Sequence, residues 1–328
     1  MKPHPAGCKK VEKENTMKHF DNFGVMIDVS RNAVMSVDGL KKFLPLLKKM
    51  GYNSVMLYTE DTYEVEGHPY FGYMRGRYSL DEIREIDRFA EELGMELIPC
   101  IQTLAHLKQS FKWGTVPMDH HDVLLCDDKE TYKLIDDMFK TVKKTFSSRL
   151  IHIGMDEAWN MGRGKYLKKY GLEPGDKLFC DHLAKVRELA NKYNFKPMIW
   201  SDMIIRFGGS RRVYDPNTVI TPELCELVPK NCELVFWDYY NPGESFYTKN
   251  IQNHRALGAH TIFAGGIWTW SGHCPYFSES IANTRPALDA CKKTKTRNVF
   301  FTLWGDNGGE CSRFAILPSL KFVGDSNL

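Results

Sequence analysis

The chain has 328 residues, 43% hydrophobic and 26% charged, enough for one large single-core domain or two ordinary ones. Lysine and arginine total 44 against 41 acidic residues, a net charge of +3. No basic run is interleaved with aromatics and no basic amphipathic stretch occurs, which argues against nucleic acid and membrane surfaces as partners. The longest apolar runs are strand-sized, too short to span a bilayer.

The opening "MKPHPAGCKKVEKENT" is polar, lacks the apolar core of a signal peptide, and is expected to be a disordered lead over residues 1–16. Strand-like runs then follow at 23–29 (FGVMIDV), 54–60 (SVMLYTE), 96–103 (ELIPCIQT) and 149–156 (RLIHIGMD). Four more lie at 197–203 (PMIWSDM), 233–239 (ELVFWDY), 261–268 (TIFAGGIW) and 299–305 (VFFTLWG). Helical patterns fill most intervals. Residues 37–51 carry apolar positions at helical spacing and stop at Gly51, and 79–94 begin with a Ser79-x-x-Glu82 capping box and end at Gly94. Residues 130–146 and 177–193 follow the same logic, whereas the interval after the fifth strand offers only a short helix in "TPELCELVPK".

Eight runs rich in Val, Ile, Leu and Phe, each followed by a helix, describe parallel strands covered on both faces. An open doubly wound sheet has fewer strands and usually a glycine-rich first turn, which this sequence lacks. The fold expected is therefore α/β, a (β/α)8 TIM barrel over residues 22–328. Only "SRFAILPSLKFVGDSNL" remains after the eighth strand, so the barrel closes economically or a C-terminal region is missing. Nine cysteines, an odd number without CxxC pairs, argue against a disulfide framework and for a cytoplasmic location.

A barrel collects its chemistry at the C-terminal ends of its strands. Here those ends carry Asp28 and Arg31, Glu60 and Asp61, Gln102 and His106, Asp156 and Glu157, Trp200 and Asp202, Asp238 and Tyr240, Trp268 and Trp270, and Trp304 with Asp306. Aromatic faces pack on pyranose rings while acids and arginine bond to hydroxyls, so this mouth suits a sugar. "DHHD" (119–122) reads more simply as a polar loop than as a cation site, and no HExxH, zinc spacing or phosphate-cradling loop is present. No metal and no cofactor are called for. In "RLIHIGMDE" the residues His152, Gly154 and Asp156 share one strand parity and Ile151, Ile153 and Met155 the other. Asp156 is expected to face the barrel mouth and Glu157 to begin the following loop, so that the two acids serve different atoms of one ligand.

"HIGMDE" resembles the His-x-Gly-x-Asp-Glu signature of glycoside hydrolase family 20, the β-N-acetylhexosaminidases, and "IDVSR", "LYTEDTYEVEG", "IQTLAHL" and "WGDNGGE" extend the likeness over nearly the whole chain. It is most similar to the compact, hexosaminidase D-like branch, which includes cytoplasmic enzymes. The resemblance implies a retaining exo-enzyme that removes terminal β-linked GlcNAc or GalNAc from small glycans or glycoconjugates. In that family the substrate's acetamide replaces a protein nucleophile.

On this likeness Glu157 is the acid and later the base, and Asp156 orients and stabilises the acetamide. Tyr240 bonds the acetamide oxygen, although "DYY" departs from the family's tyrosine-before-aspartate pattern and leaves Tyr239 as the alternative. Arg31 and Asp306 bind outer hydroxyls, and Asp61 with His106 backs the acid. Trp200, Trp270 and Trp304 wall the sugar; by strand parity Tyr240 goes with Asp238, so both can point inward. Two other functions stay open, a carbohydrate-binding barrel without turnover and a metal-dependent barrel hydrolase. Sugar preference and oligomeric state stay open as well.

Overall fold

The structure, a computed structural model, describes residues 19–208, 213–306 and 308–327. The expected lead at 1–16 lies outside the described residues. In chain order the strands are β1 (Asn22–Asp28), β2 (Ser54–Tyr58), β3 (Glu96–Cys100), β4 (Met118–His120), β5 (Val123–Leu124), β6 (Leu150–His152), β7 (Lys196–Trp200), β8 (Glu233–Trp237), β9 (Thr261–Gly266) and β10 (Asn298–Leu303). The helices are α1 (Val37–Lys49), α2 (Leu80–Glu92), α3 (Lys129–Thr145), α4 (Lys165–Tyr170), α5 (Gly175–Lys192), α6 (Asp202–Phe207), α7 (Pro222–Glu226), α8 (Glu244–Ala256), α9 (Phe277–Lys293) and α10 (Leu317–Asp325).

Eight strands close a parallel barrel in the order β1-β10-β9-β8-β7-β6-β3-β2, and β4 and β5 form a separate antiparallel pair. The expected (β/α)8 barrel is the observed fold. Closure comes from β1 pairing with β10, in register from Asn22 opposite Asn298 to Ile27 opposite Leu303. The capping box at Ser79 forms in full: Ser79 Oγ accepts from Glu82 N–H at 3.2 Å, and Glu82 returns a carboxylate to Ser79 N–H at 2.8 Å. Among the described residues only the short α7 forms between α6 and β8, and α10, nine residues long, follows β10.

Strand alternation divides the apolar residues into two layers. Val25, Ile27, Ile151, Ile153, Leu234 and Phe236 belong to the layer between strands and helices. Met26, Met56, Ile98, Met198, Val235, Ile262 and Phe300 fill the barrel interior. The inward series continues past the strands into the mouth, where Tyr58, Trp200 and Trp304 border the interior cluster. Strand alternation therefore decides which residues reach the site.

The strands are shorter than expected at their C-terminal ends, above all β6, which stops at His152 rather than running to Asp156. The cause is visible in the backbone. Glu60, His106, Met155, Glu157 and Asp306 all have positive φ (44°, 59°, 72°, 50° and 29°), a region that non-glycine residues enter reluctantly and that clusters at functional sites.

Candidate active site

The "HIGMDE" turn is held residue by residue. His152, fully buried, accepts Gly154 N–H on Nδ1 at 3.1 Å. Burial drives its pKa down to about 3, so the ring is neutral and free to accept. Gly154 has φ +70°, and a Cβ there would lie 1.9 Å from Gln102 Oε1, so this position needs glycine on both counts. Gln102 spans the turn: Oε1 accepts Met155 N–H at 3.3 Å, while Nε2 donates to Asp156 Oδ1 at 3.0 Å and to Tyr58 Oη at 2.9 Å.

Asp156 and Glu157 then enter one pocket together. His106 Nε2 lies 3.1 Å from Asp156 Oδ2, at an angle that makes an ion pair without a formed hydrogen bond, and 3.7 Å from Glu157 Oε2. The strand has already ended, so the alternation that separates neighbours to opposite faces does not apply. Asp119, from the "DHHD" stretch, fixes the loop beyond Glu157 by accepting from the backbone N–H groups of Gly162, Gly164 and Tyr166 at 2.7, 3.2 and 2.7 Å. The next residues, His120, His121 and Asp122, keep ligand atoms within 4.8 Å of one another, and the two rings share a 2.8 Å Nδ1–Nδ1 contact.

The two acids differ electrostatically. Burial raises the Asp156 pKa, but the His106 charge and the Gln102 amide outweigh it and hold the group below the ordinary carboxylate range. Glu157 moves the other way: burial and then the Asp156 charge raise it. Burial alone would lower His106, yet facing Asp156 lifts it to about 9. Behind the pair, Asp202 is fully buried and accepts Glu157 N–H on Oδ2 at 2.9 Å.

Arg31 is fixed on the opposite side. Asp28 Oδ2 receives Arg31 Nη1 at 3.1 Å and also Gly305 N–H at 2.7 Å, a contact that joins residues 277 positions apart. Glu60 Oε1 stands 3.3 Å from Arg31 Nη2, and the guanidinium lies over the rings of Tyr58 and Trp304 at 5.0 and 5.4 Å.

Of the residues expected in the site, Arg31, His106, Asp156, Glu157, Trp200, Tyr240, Trp270, Trp304 and Asp306 line this one pocket. Asp238 does not. Its oxygens accept from Tyr247 Oη at 3.0 Å and from the backbone and side chain of Asn241, because Asp238 lies on the helix-facing parity of β8 with Phe236. Asp61 does not pair with His106; its carboxylate takes Arg75 Nε at 3.2 Å, and the acid facing Arg31 is the preceding residue, Glu60.

The inward parity of β8 instead carries Val235, Trp237 and Tyr239. Tyr239 is buried against Trp270 and Trp237, with ring centroids 5.5 and 5.3 Å away, whereas Tyr240 is 57% exposed at the rim. Tyr58, Trp237 and Tyr239 complete the lining, and Gln102 and Asp202 support it from below. Counting parity from Val235 was the signal that would have found Trp237 and Tyr239.

A parallel barrel with an aromatic-walled mouth, a fixed arginine and two acids of opposite tendency has the make-up of a carbohydrate-cleaving site. The sequence model for the catalytic domain of glycosyl hydrolase family 20 matches residues 20–298, and the chain belongs to that family. Hexosaminidase D of Bos taurus is 26% identical over 223 residues, covering 61% of this chain and 58% of its own. Hexosaminidase D of Homo sapiens is 25% identical over 224 residues, 64% of this chain and 43% of its own. The chain thus spans about half the length of these curated relatives. Among solved structures, the GH20 exo-β-N-acetylglucosaminidase of Vibrio harveyi, in complex with N-acetylglucosamine, shares the fold with a TM-score of 0.69 at 17% identity, over 94% of this chain and 54% of that one.

Proposed function

We propose that this chain is a retaining exo-β-N-acetylhexosaminidase that removes terminal β-linked GlcNAc or GalNAc from small glycans or glycoconjugates. The single observation that carries the reading is the unequal treatment of two adjacent acids in one pocket. Asp156 is kept ionised by His106 and Gln102, and Glu157 is kept inclined to hold its proton. A further point supports it. Most other acids nearby are already engaged: Asp28 and Glu60 with Arg31, Asp61 with Arg75, Asp238 with Tyr247 and Asn241, and Asp202 with the Glu157 N–H. A substrate that brings its own nucleophile suits this site.

In the mechanism, the acetamide oxygen of the bound sugar attacks the anomeric carbon as the glycosidic C–O bond breaks. Glu157 gives its proton to the departing oxygen. Asp156 accepts the acetamide N–H and stabilises the positive charge that spreads into the five-membered ring. Glu157, now a carboxylate, takes a proton from water as that water opens the ring at the anomeric carbon, so the configuration is retained. We assign the acetamide-oxygen bond to Tyr239, which is buried in the pocket lining between Trp237 and Trp270, and leave Tyr240 to the rim. Arg31 and Asp306 take the outer hydroxyls, Trp200, Trp237 and Trp270 enclose the acetamide, and Trp304 covers the ring. Eight cysteines among the described residues are unpaired, which supports a cytoplasmic setting.

The deciding experiment compares aryl N-acetyl-β-glucosaminide with the matching aryl β-glucoside, which lacks the acetamide. The reading expects turnover of the first, near-inertness of the second, and a thiazoline analogue binding far more tightly than product. Comparable cleavage of both glycosides sinks it. The ligand atoms of His106, Asp156 and Glu157 lie within 4.8 Å of one another, the proximity that a second reading, a metal-assisted hydrolase, needs, but family membership does not favour that reading. Activity abolished by dialysis against chelator and restored by a divalent ion would select that one.

A further inference from the structure

Two adjacent residues share the pocket only because the backbone turns sharply between them, and the turn is left-handed at Glu157 (φ 50°). A residue with a Cβ avoids that region unless its surroundings over-determine it. Met155, with φ 72°, is pinned by Gln102. For Glu157 the pin comes from another element, the start of α6. Its N–H runs 2.9 Å to Asp202 Oδ2, and its carbonyl accepts Trp159 N–H at 2.7 Å.

Asp202 is the first residue of α6, two positions after Trp200 ends β7, and has no exposed surface. Its other oxygen, Oδ1, is buried and has no hydrogen-bond partner. A carboxyl spent in this way is an odd choice for filling space, because a buried acid with one empty oxygen is costly. It makes sense as a fixed acceptor aimed at one N–H. Burial, and then the charge of Asp156, push its pKa well up. That bias toward the neutral form lets the carboxyl accept the Glu157 N–H with less charge repulsion beside Asp156.

We propose that Asp202 is a positioning residue for the general acid: by accepting the Glu157 N–H it holds the turn that brings the Glu157 carboxyl into the pocket beside Asp156. This rests on the acid role proposed for Glu157. It adds a residue at the start of α6, just past β7, so the acid's placement depends on the β7–α6 junction as well as on its own loop.

The test uses the full chain with Asp202→Asn, which keeps a neutral carbonyl acceptor, and Asp202→Leu, which removes it at similar volume. Asp202→Ala replaces the leucine variant if that one does not fold. Each is assayed on an activated aryl N-acetylglucosaminide and on an unactivated disaccharide, and each is crystallised. The leucine variant should lose about 100-fold in kcat on the disaccharide, a typical general-acid contribution, and much less on the aryl substrate. The asparagine variant should lose less than about tenfold, and equally on both. KM should move little in either.

In the crystal structures the Glu157 carboxyl should leave the pocket in the leucine variant and stay in the asparagine variant. Equal losses on both substrates in the leucine variant, or an unmoved Glu157 carboxyl in that variant, overturn the proposal. A wild-type protein inert on N-acetylhexosaminides, with Glu157 still displaced in the leucine variant, would instead defeat the enzymatic reading and leave the positioning role standing.

Discussion

His106 and Asp156 face each other at 3.1 Å in a pocket where both are largely shielded from water. The contact raises His106 from 6.5 to about 9 and lowers Asp156 from 3.8. A raised histidine contributes stability that is fully present below 6.5 and lost as pH climbs through 9. A lowered aspartate contributes stability that is present above 3.8 and lost as acid titrates it. The two overlap between pH 3.8 and 6.5. The difference in Tm between wild type and His106→Asn should therefore be largest in that window and fade toward alkaline pH. Melting curves across the pH range check this; a difference that does not vary with pH contradicts it.

His106→Asn should also move activity. With the imidazolium gone, Asp156 must ionise without its partner, and its pKa should climb by about 1–3 units, the usual effect of a neighbouring opposite charge. The acidic limb of kcat/KM on an activated substrate should shift upward by a comparable amount. An unmoved acidic limb would show that Asp156 ionisation does not govern it.

Gly154→Ala meets two penalties at once, a left-handed φ of 70° and a Cβ 1.9 Å from Gln102 Oε1. The backbone strain alone is about 1–2 kcal/mol, and Gln102 must also abandon Asp156. Chemical denaturation should show a loss of at least that size. Activity should fall further than stability explains, because the folded fraction carries a displaced Asp156. Full activity in the folded fraction would refute the role given to Gln102.

Much of this site was legible in the sequence, and the parts that were not share a cause. Strand parity put Asp156 in the mouth and Ile151, Ile153 and Met155 behind it, because β6 alternates as an ordinary strand up to His152. The same rule failed at β8 only because it was counted from Asp238, which follows α8's Tyr247 outward, instead of from Val235. Partners such as Asp61 with Arg75, or Asp202 with Glu157, join residues 14 and 45 positions apart across irregular backbone, where no periodicity operates. The positive φ of Glu60, His106 and Glu157 likewise leaves no pattern to read.

The two tyrosines after β8 should separate cleanly. Removing the hydroxyl of buried Tyr239 takes a donor from the pocket lining, so Tyr239→Phe should cost about 10²–10³ in kcat, the scale of one donor aimed at developing charge. Tyr240→Phe, at the rim, should cost less than about tenfold on that scale. Steady-state kinetics on an aryl N-acetylglucosaminide measure both, and the reverse order would return the acetamide role to Tyr240.

Arg31→Lys is not a conservative change here. The guanidinium reaches Asp28 and Glu60 with separate nitrogens and lies over two aromatic rings, a planar geometry that an ammonium cannot reproduce. Losing charged hydrogen bonds to the sugar should lower kcat/KM by about 10- to 100-fold, with Tm only modestly changed. Unchanged kcat/KM would remove Arg31 from the binding of outer hydroxyls.

The Gly305 N–H that reaches back to Asp28 has a consequence in time as well as in space. A ribosome adding about 5–20 residues per second needs roughly 15–55 seconds to make the 277 residues between them. Throughout that interval β1 waits with one edge unpaired, and Arg31 lacks the Trp304 face it will lie against. The pocket that Trp304 and Asp306 help line cannot be complete before those residues are made. A message cut short before β10 would leave a parallel sheet with a bare strand edge, a template for aggregation.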